Sequence, residues 1–252
     1  MKAGAILGLT TSALAASIPR AADVWGGKDT AITEVPYQIE YDVNGQFDCG
    51  GSIIAKRFIL TAGHCVRGQT ASRLSIRAGS NQIGGGTSYK VKKINAHPKF
   101  TIQGNFIDYD VAILELTSDI ALSNSAKIIE VTNTSPNAGD DALLSGWGET
   151  NAQHNYPRTL QSVHYPIISK QECQDLNNKY GAETTDRFIC ALYQGGGKGS
   201  CYGDSGGPLV VGGKLVGSVS GGQECAGADA PGSYADLAHP EIRPWIKQIA
   251  GV

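Results

Sequence analysis

Residues 196–210 read GGKGSCYGDSGGPLV. Glycines on both sides of Ser205 permit backbone turns that other residues resist. Such turns let the N–H groups of Gly203 and Ser205 converge beside the serine hydroxyl, where they would stabilise an oxyanion. A serine hydroxyl is a poor nucleophile at neutral pH. It needs an adjacent base, and the base needs a third group to fix its tautomer. Two other segments supply those groups. Thr61-Ala62-Gly63-His64-Cys65 offers His64 as the base, and Asp108-Tyr109-Asp110-Val111-Ala112-Ile113-Leu114 offers Asp110 as the orienter. Each string alone is weak, because a histidine beside a cysteine is usually packing or surface, and Gly-x-Ser-x-Gly recurs by chance in glycine-rich chains. The three in the order His–Asp–Ser are specific.

Around these segments run short β-like stretches: Tyr37–Tyr41, Ser52–Ile54, Phe58–Thr61, Leu74–Ala78, Tyr89–Ile94, Val111–Leu116, Ala142–Ser145, Leu160–Ile168, Pro208–Val211 and Lys214–Val219. Gly, Asn, Asp and Pro clusters separate them. That pattern predicts an all-β chain, a barrel or a sandwich. Glycine is 33 of 252 residues, against a usual ~7%, in keeping with many tight turns. Two helices are expected. Ser169-Lys170-Gln171-Glu172 is a capping box opening a helix to about Asn178. Near the end, Ile242, Trp245, Ile246 and Ile249 share one helical face, with Pro244 in the first turn.

The net charge of −2 and pI of 6.2 carry no basic stripe, so nucleic acid is not an expected partner. Residues 1–16, MKAGAILGLTTSALAA, have the Lys2 charge, a short apolar stretch and small residues for cleavage after Ala15 or Ala16. They read as a secretory signal peptide, too short for a membrane span. Secretion implies an oxidising compartment, where six cysteines predict three disulfides from fifteen possible pairings. His97, His154, His164 and His239 show no metal-ligand spacing, and the loop Arg77–Ser88 lacks the carboxylates that Ca²⁺ favours. No metal or cofactor is expected. Asn133-Thr134-Ser135 is a glycosylation sequon.

The sequence resembles the chymotrypsin-fold, trypsin-like serine endopeptidases over nearly all of Val24–Val252. VWGG at 24–27, CGGSII at 49–54, LTAGHC at 60–65, DYDVAIL at 108–114, SGWG at 145–148, GGKGSCYGDSGGPLV at 196–210 and PGSY at 231–234 carry the likeness. In character it is similar to secreted trypsins of arthropods such as mites, and to fungal ones. The resemblance implies two six-stranded antiparallel β-barrels, a C-terminal helix and an active site between the barrels. It assigns the catalytic roles to His64, Asp110 and Ser205, and the oxyanion hole to Gly203 and Ser205. It pairs Cys49 with Cys65, Cys173 with Cys190 and Cys201 with Cys225. It implies a monomer acting on polypeptide substrates and meeting protein protease inhibitors, with no membrane partner. The α/β-hydrolase nucleophile elbow also fits Gly203–Gly207, but the βα alternation of that fold is missing.

The resemblance further implies a zymogen: signal 1–16, propeptide 17–23, protease domain 24–252. Cleavage would free Val24, whose ammonium would pair with Asp204. Two features depart from the family. Trp25 replaces a small aliphatic residue, so the terminal pocket must hold an indole or rearrange. Asp23 stands where Arg or Lys marks the cut, and Arg20 is the nearest basic residue. Cleavage after Asp23, trimming after Arg20 and inefficient activation all remain open.

At the pocket, trypsins carry an aspartate six residues before the nucleophile, and here that residue is Gly199. Without the carboxylate a buried Lys or Arg would go unpaired. Gly222 and Gly232 are small walls, and Ser200 lies beside the floor. A deep apolar slot favours Phe, Tyr, Leu or Met before the scissile bond, with broad specificity as the next reading. Basic specificity requires Asp229 or Glu224 to reach inward. Ser220 keeps the substrate-pairing backbone, but Gly221 replaces an aromatic wall and predicts weaker selection upstream. Gly63 replaces an alanine and adds flexibility before His64. A catalytically weak binding or decoy homologue is the alternative that these departures raise.

Overall fold

Phe58–Thr61 lies antiparallel to Ala112–Leu116, with Ile59 opposite Leu114 and Leu60 opposite Ile113. Successive side chains of a strand point to opposite faces. Ile59 and Leu114 therefore enter one core with Ile39, Tyr41, Ile53, Leu74 and Ile76. Leu60 and Ile113 enter another, with Val111, Val131, Val210, Leu215 and Ile246. Both faces are buried, which explains the unbroken apolar runs in these segments.

The computed structural model describes residues 24–150 and 156–252. The expected signal peptide, the propeptide with Arg20 and Asp23, and His154 lie outside the described residues. The first core fills a closed antiparallel barrel of Gln38–Val43, Gln46–Ala55, Phe58–Thr61, Ala112–Leu116, Thr87–Ala96 and Leu74–Ala78, in that order. A second barrel runs Gln161–Ile168, Asp141–Gly146, Pro208–Val211, Lys214–Gly221, Gly232–Asp236 and Phe188–Ala191, and pairing of the last with the first closes it. Lys28–Asp29 adds an edge strand on Gln161–Ile168. Leu144, Val163, Ile189, Leu209 and Tyr234 fill the second core. The core shared by Leu60 and Ile113 lies between the barrels.

The two expected helices are present. Ser169 caps Lys170–Lys179, its hydroxyl accepting the Glu172 N–H at 3.1 Å. Arg243–Ala250 carries Pro244 in its first turn and buries Ile246 in the inter-barrel core. Disulfides join Cys49–Cys65, Cys173–Cys190 and Cys201–Cys225. Among the described residues no helix is long and apolar enough to cross a membrane.

Candidate active site

His64 sits in a single helical turn, Gly63–Val66, directly after the strand Phe58–Thr61. The Cys49–Cys65 disulfide ties that turn to the strand Gln46–Ala55. The same strand meets the serine segment, the Gly50 N–H donating to the Ser205 carbonyl at 2.8 Å. Gly206, at φ +76°, lets the chain turn there; a Cβ on it would lie 2.2 Å from Thr61 Oγ1. His64 and Ser205 thus face one cleft of about 580 Å³.

Asp110 is fully buried and accepts three hydrogen bonds. Its Oδ1 takes the His64 backbone N–H at 2.8 Å, and its Oδ2 lies 2.7 Å from His64 Nδ1. Ser220 Oγ donates to Oδ2 at 2.6 Å. The Asp110 bonds place the proton on Nδ1 and leave Nε2 as the basic nitrogen. Among the described residues the one hydrogen-bond contact of Nε2 is the Cys65 sulfur, at 3.7 Å. Burial lowers the His64 pKa, but the Asp110 hydrogen bond and the charges of Asp110 and Asp48 outweigh it, and the net shift is upward.

Around Ser205 the backbone donors divide sharply. The N–H groups of Asp204, Gly206 and Gly207 bond to Cys201, Val219 and Asp204 carbonyls. Those of Gly203 and Ser205 have no acceptor among the described residues. Asp204 is buried behind them, its carboxylate accepting the N–H groups of Gly148 at 2.8 Å and Cys201 at 3.0 Å. Burial nevertheless pushes its pKa up to about 7.

Ser200, Ser220 and Gly222 line the cleft with His64, Gly203 and Ser205. Gly199 and Gly232 are not among the residues that line it. A Cβ on Gly199 would make ordinary contacts of 3.4–3.6 Å with Ala226. One on Gly232 would press on Tyr234 Oη at 2.8 Å and Ser200 Oγ at 3.1 Å. The Tyr165 and Tyr234 hydroxyls bond each other. Cys201–Cys225 joins the two pocket segments.

Three expectations change. Val24, not the indole, is fully buried in the second core, while Trp25 is half-buried and its carbonyl accepts the Gly199 N–H at 3.1 Å. Asp229 does not reach inward: it is 67% exposed and pairs with Lys179. Gly63 does more than add flexibility, because the Phe100 ring occupies the place of its side chain, 2.7 Å from a built Cβ. Gly221 leaves open space, with nothing within 4 Å of a Cβ there. Asp48, Tyr156 and Tyr202 also line the cleft, and Glu224 stands at it. Asp48 directly precedes the CGGSII string, the one sequence signal that pointed near it.

Two closed barrels with a histidine, a buried aspartate and a glycine-flanked serine at their junction define the chymotrypsin-like fold of serine endopeptidases. The family model described as Trypsin matches residues 24–246. The chain belongs to the trypsin family, and it is a serine-type endopeptidase. It is 40% identical over 232 residues to Trypsin 5G1 of Aedes aegypti, covering 90% of this chain and 85% of that protein. It is 41% identical over 216 residues to Hypodermin-A of Hypoderma lineatum, covering 85% and 83%. Among solved structures, neuropsin, a serine protease of mouse brain, superposes with a TM-score of 0.79 at 28% identity, covering 88% of this chain and 97% of that one.

Proposed function

We propose that the chain is a secreted zymogen of a serine endopeptidase that prefers large apolar or aromatic residues before the scissile bond. One observation carries the catalytic assignment. The hydrogen-bonded pair of buried Asp110 and part-exposed His64, and the two unbonded N–H groups of Gly203 and Ser205, meet at the one cleft that Ser205 lines. Ser205 Oγ attacks the peptide carbonyl carbon while His64 Nε2 takes its proton. The carbonyl oxygen becomes an oxyanion received by the N–H groups of Gly203 and Ser205. The carbon–nitrogen bond then breaks, the departing amine takes the proton from His64, and an acyl-enzyme remains. Water, deprotonated by His64, releases the acid and restores Ser205.

Specificity follows from the floor. The three hydroxyls of Ser200, Tyr165 and Tyr234 carry no formal charge, and Gly199 adds none. A cationic side chain would meet no counter-charge at Gly199, at a cost of several kcal/mol. Glu224 is exposed and lines the same cleft. Residues 1–16 act as the signal, 17–23 as the propeptide, and the free Val24 ammonium pairs with Asp204. The mature monomer would meet polypeptide substrates and protein inhibitors outside the cell.

The test uses a chain starting at a free Val24, peptides differing only before the scissile bond, and Ser205→Ala as control. Cleavage after Phe, Tyr or Leu is expected; cleavage only after Lys or Arg would overturn the pocket reading, and none above control the catalytic one. Gly199→Asp tests the floor directly, since the site accepts a Cβ without displacement. It should shift relative kcat/KM toward Lys and Arg by roughly two to four orders of magnitude, the equivalent of about 3–5 kcal/mol for one unpaired buried charge. An unchanged ratio in a folded variant would place the specificity element elsewhere.

A further inference from the structure

Asp110 is held from behind by residues that never approach the cleft. Tyr109, the residue before it, has φ +50°, a left-handed conformation that a bulky residue avoids. Such strain persists only where its surroundings over-determine it. Here they do. The His97 ring stacks on Tyr109 with centroids 4.7 Å apart, and the Arg187 guanidinium lies 4.6 Å from the ring centroid. The Tyr109 hydroxyl donates to Glu241 Oε2 at 2.7 Å. Arg187 grips Glu241 at 3.1 Å and forks onto the Asp108 carboxylate at 2.8–3.1 Å. Asp108 in turn accepts the Tyr109 N–H at 2.9 Å. On the other side of Asp110, the His97 N–H donates to the Val111 carbonyl at 3.0 Å.

We infer that Arg187 and Glu241 are positioning residues of the catalytic triad, clamping Tyr109 so that Asp110 points at His64. This rests on the triad reading above. The clamp spans the molecule: Arg187 directly precedes the second-barrel strand Phe188–Ala191, and Glu241 precedes the C-terminal helix. Asp108 and Tyr109 belong to the first barrel's connection into Ala112–Leu116. The alignment of Asp110 therefore depends on the two barrels being docked. Misplacing a catalytic group by about 1 Å can cost about 100-fold in rate.

The test compares Arg187→Gln, Arg187→Lys and Tyr109→Phe with the parent chain, all starting at Val24. Titratable groups facing the clamp are His97, Lys99, Asp108, Asp186 and Glu241, with His239 beyond Asp186. The pH profile is therefore read on kcat/KM, whose acid limb reports the general base in the free enzyme. Arg187→Gln should lower kcat about 10- to 100-fold with KM within twofold. It should also move the acid limb to lower pH, as His64 loses part of its Asp110 contact. Arg187→Lys should recover part of that loss, because it keeps the charge without the fork. Tyr109→Phe keeps the stacked ring, loses the hydroxyl's bonds to Glu241 and Lys99 Nζ, and should cost three- to tenfold in kcat. Folded variants with the parent's kcat and acid limb would overturn the inference, whatever their thermal stability. If Arg187→Gln does not fold, Tyr109→Phe decides alone by the same criterion. An inactive parent that a serine-directed phosphonate fails to label would instead defeat the triad reading.

Discussion

Asp110→Asn should reduce kcat by about four orders of magnitude, the size this change has in Ser-His-Asp triads generally, while leaving the fold in place. The hydrogen bonds dictate the reason. Asp110 Oδ1 faces the His64 backbone N–H, which only donates. The asparagine NH₂ cannot sit there, so it must take the Oδ2 position, facing His64 Nδ1 and Ser220 Oγ. The serine hydroxyl can turn and accept. His64 Nδ1 must then accept as well, which moves its proton to Nε2 and removes the base from Ser205. Steady-state kinetics beside a thermal melt checks both halves. A folded variant within tenfold of the parent would show that Asp110 does not set the tautomer.

The second large effect concerns Asp204. A fully buried carboxyl with two backbone donors and a pKa raised from 3.8 to about 7 is a charge awaiting a partner. In the unprocessed chain this acid keeps its proton in the fold after the unfolded chain has lost it. The contribution of Asp204 to stability must then fall as pH rises from about 4 to about 7, by about 4 kcal/mol, and stay level above that. A free Val24 ammonium beside the carboxylate would favour the charged form and abolish the decline. Denaturant melts of the Ser205→Ala chain, with and without residues 1–23, should therefore diverge between those pH values. The same pairing predicts that Asp204→Asn in the processed enzyme costs roughly two to three orders of magnitude in kcat/KM, because it strands a buried ammonium. Identical melting profiles for the two chains would remove Val24 from the switch.

Strands that are apolar and bounded by turn residues were legible with their limits. Phe58–Thr61, Leu74–Ala78 and Pro208–Val211 form where the pattern places them. Gly232–Asp236 was not legible, because GSYAD has no apolar alternation; its place comes from pairing on both edges with Lys214–Gly221 and Phe188–Ala191. The motif residues around the cleft could be read because their chemistry demands particular residue types. Contacts between distant segments could not. Nothing in the string around Gly63 announces that Phe100 fills its side-chain space. Asp229 looked available to the pocket until Lys179, fifty residues earlier, proved to hold it outside. Arg187 and Glu241 carry no motif, and their link to Asp110 exists only through the docking of two barrels.

That docking has a consequence for how the molecule comes apart. Leu60 and Ile113 complete a core that the first barrel does not own, with Val210, Leu215 and Ile246 contributed from beyond it. Severed from its companion, the first barrel would keep its private interior but present an apolar seam to water, an aggregation hazard of the kind exposed patches create. The halves should accordingly melt as one cooperative unit. A nick in any linker between them would leave a paired, still-folded molecule rather than two free domains.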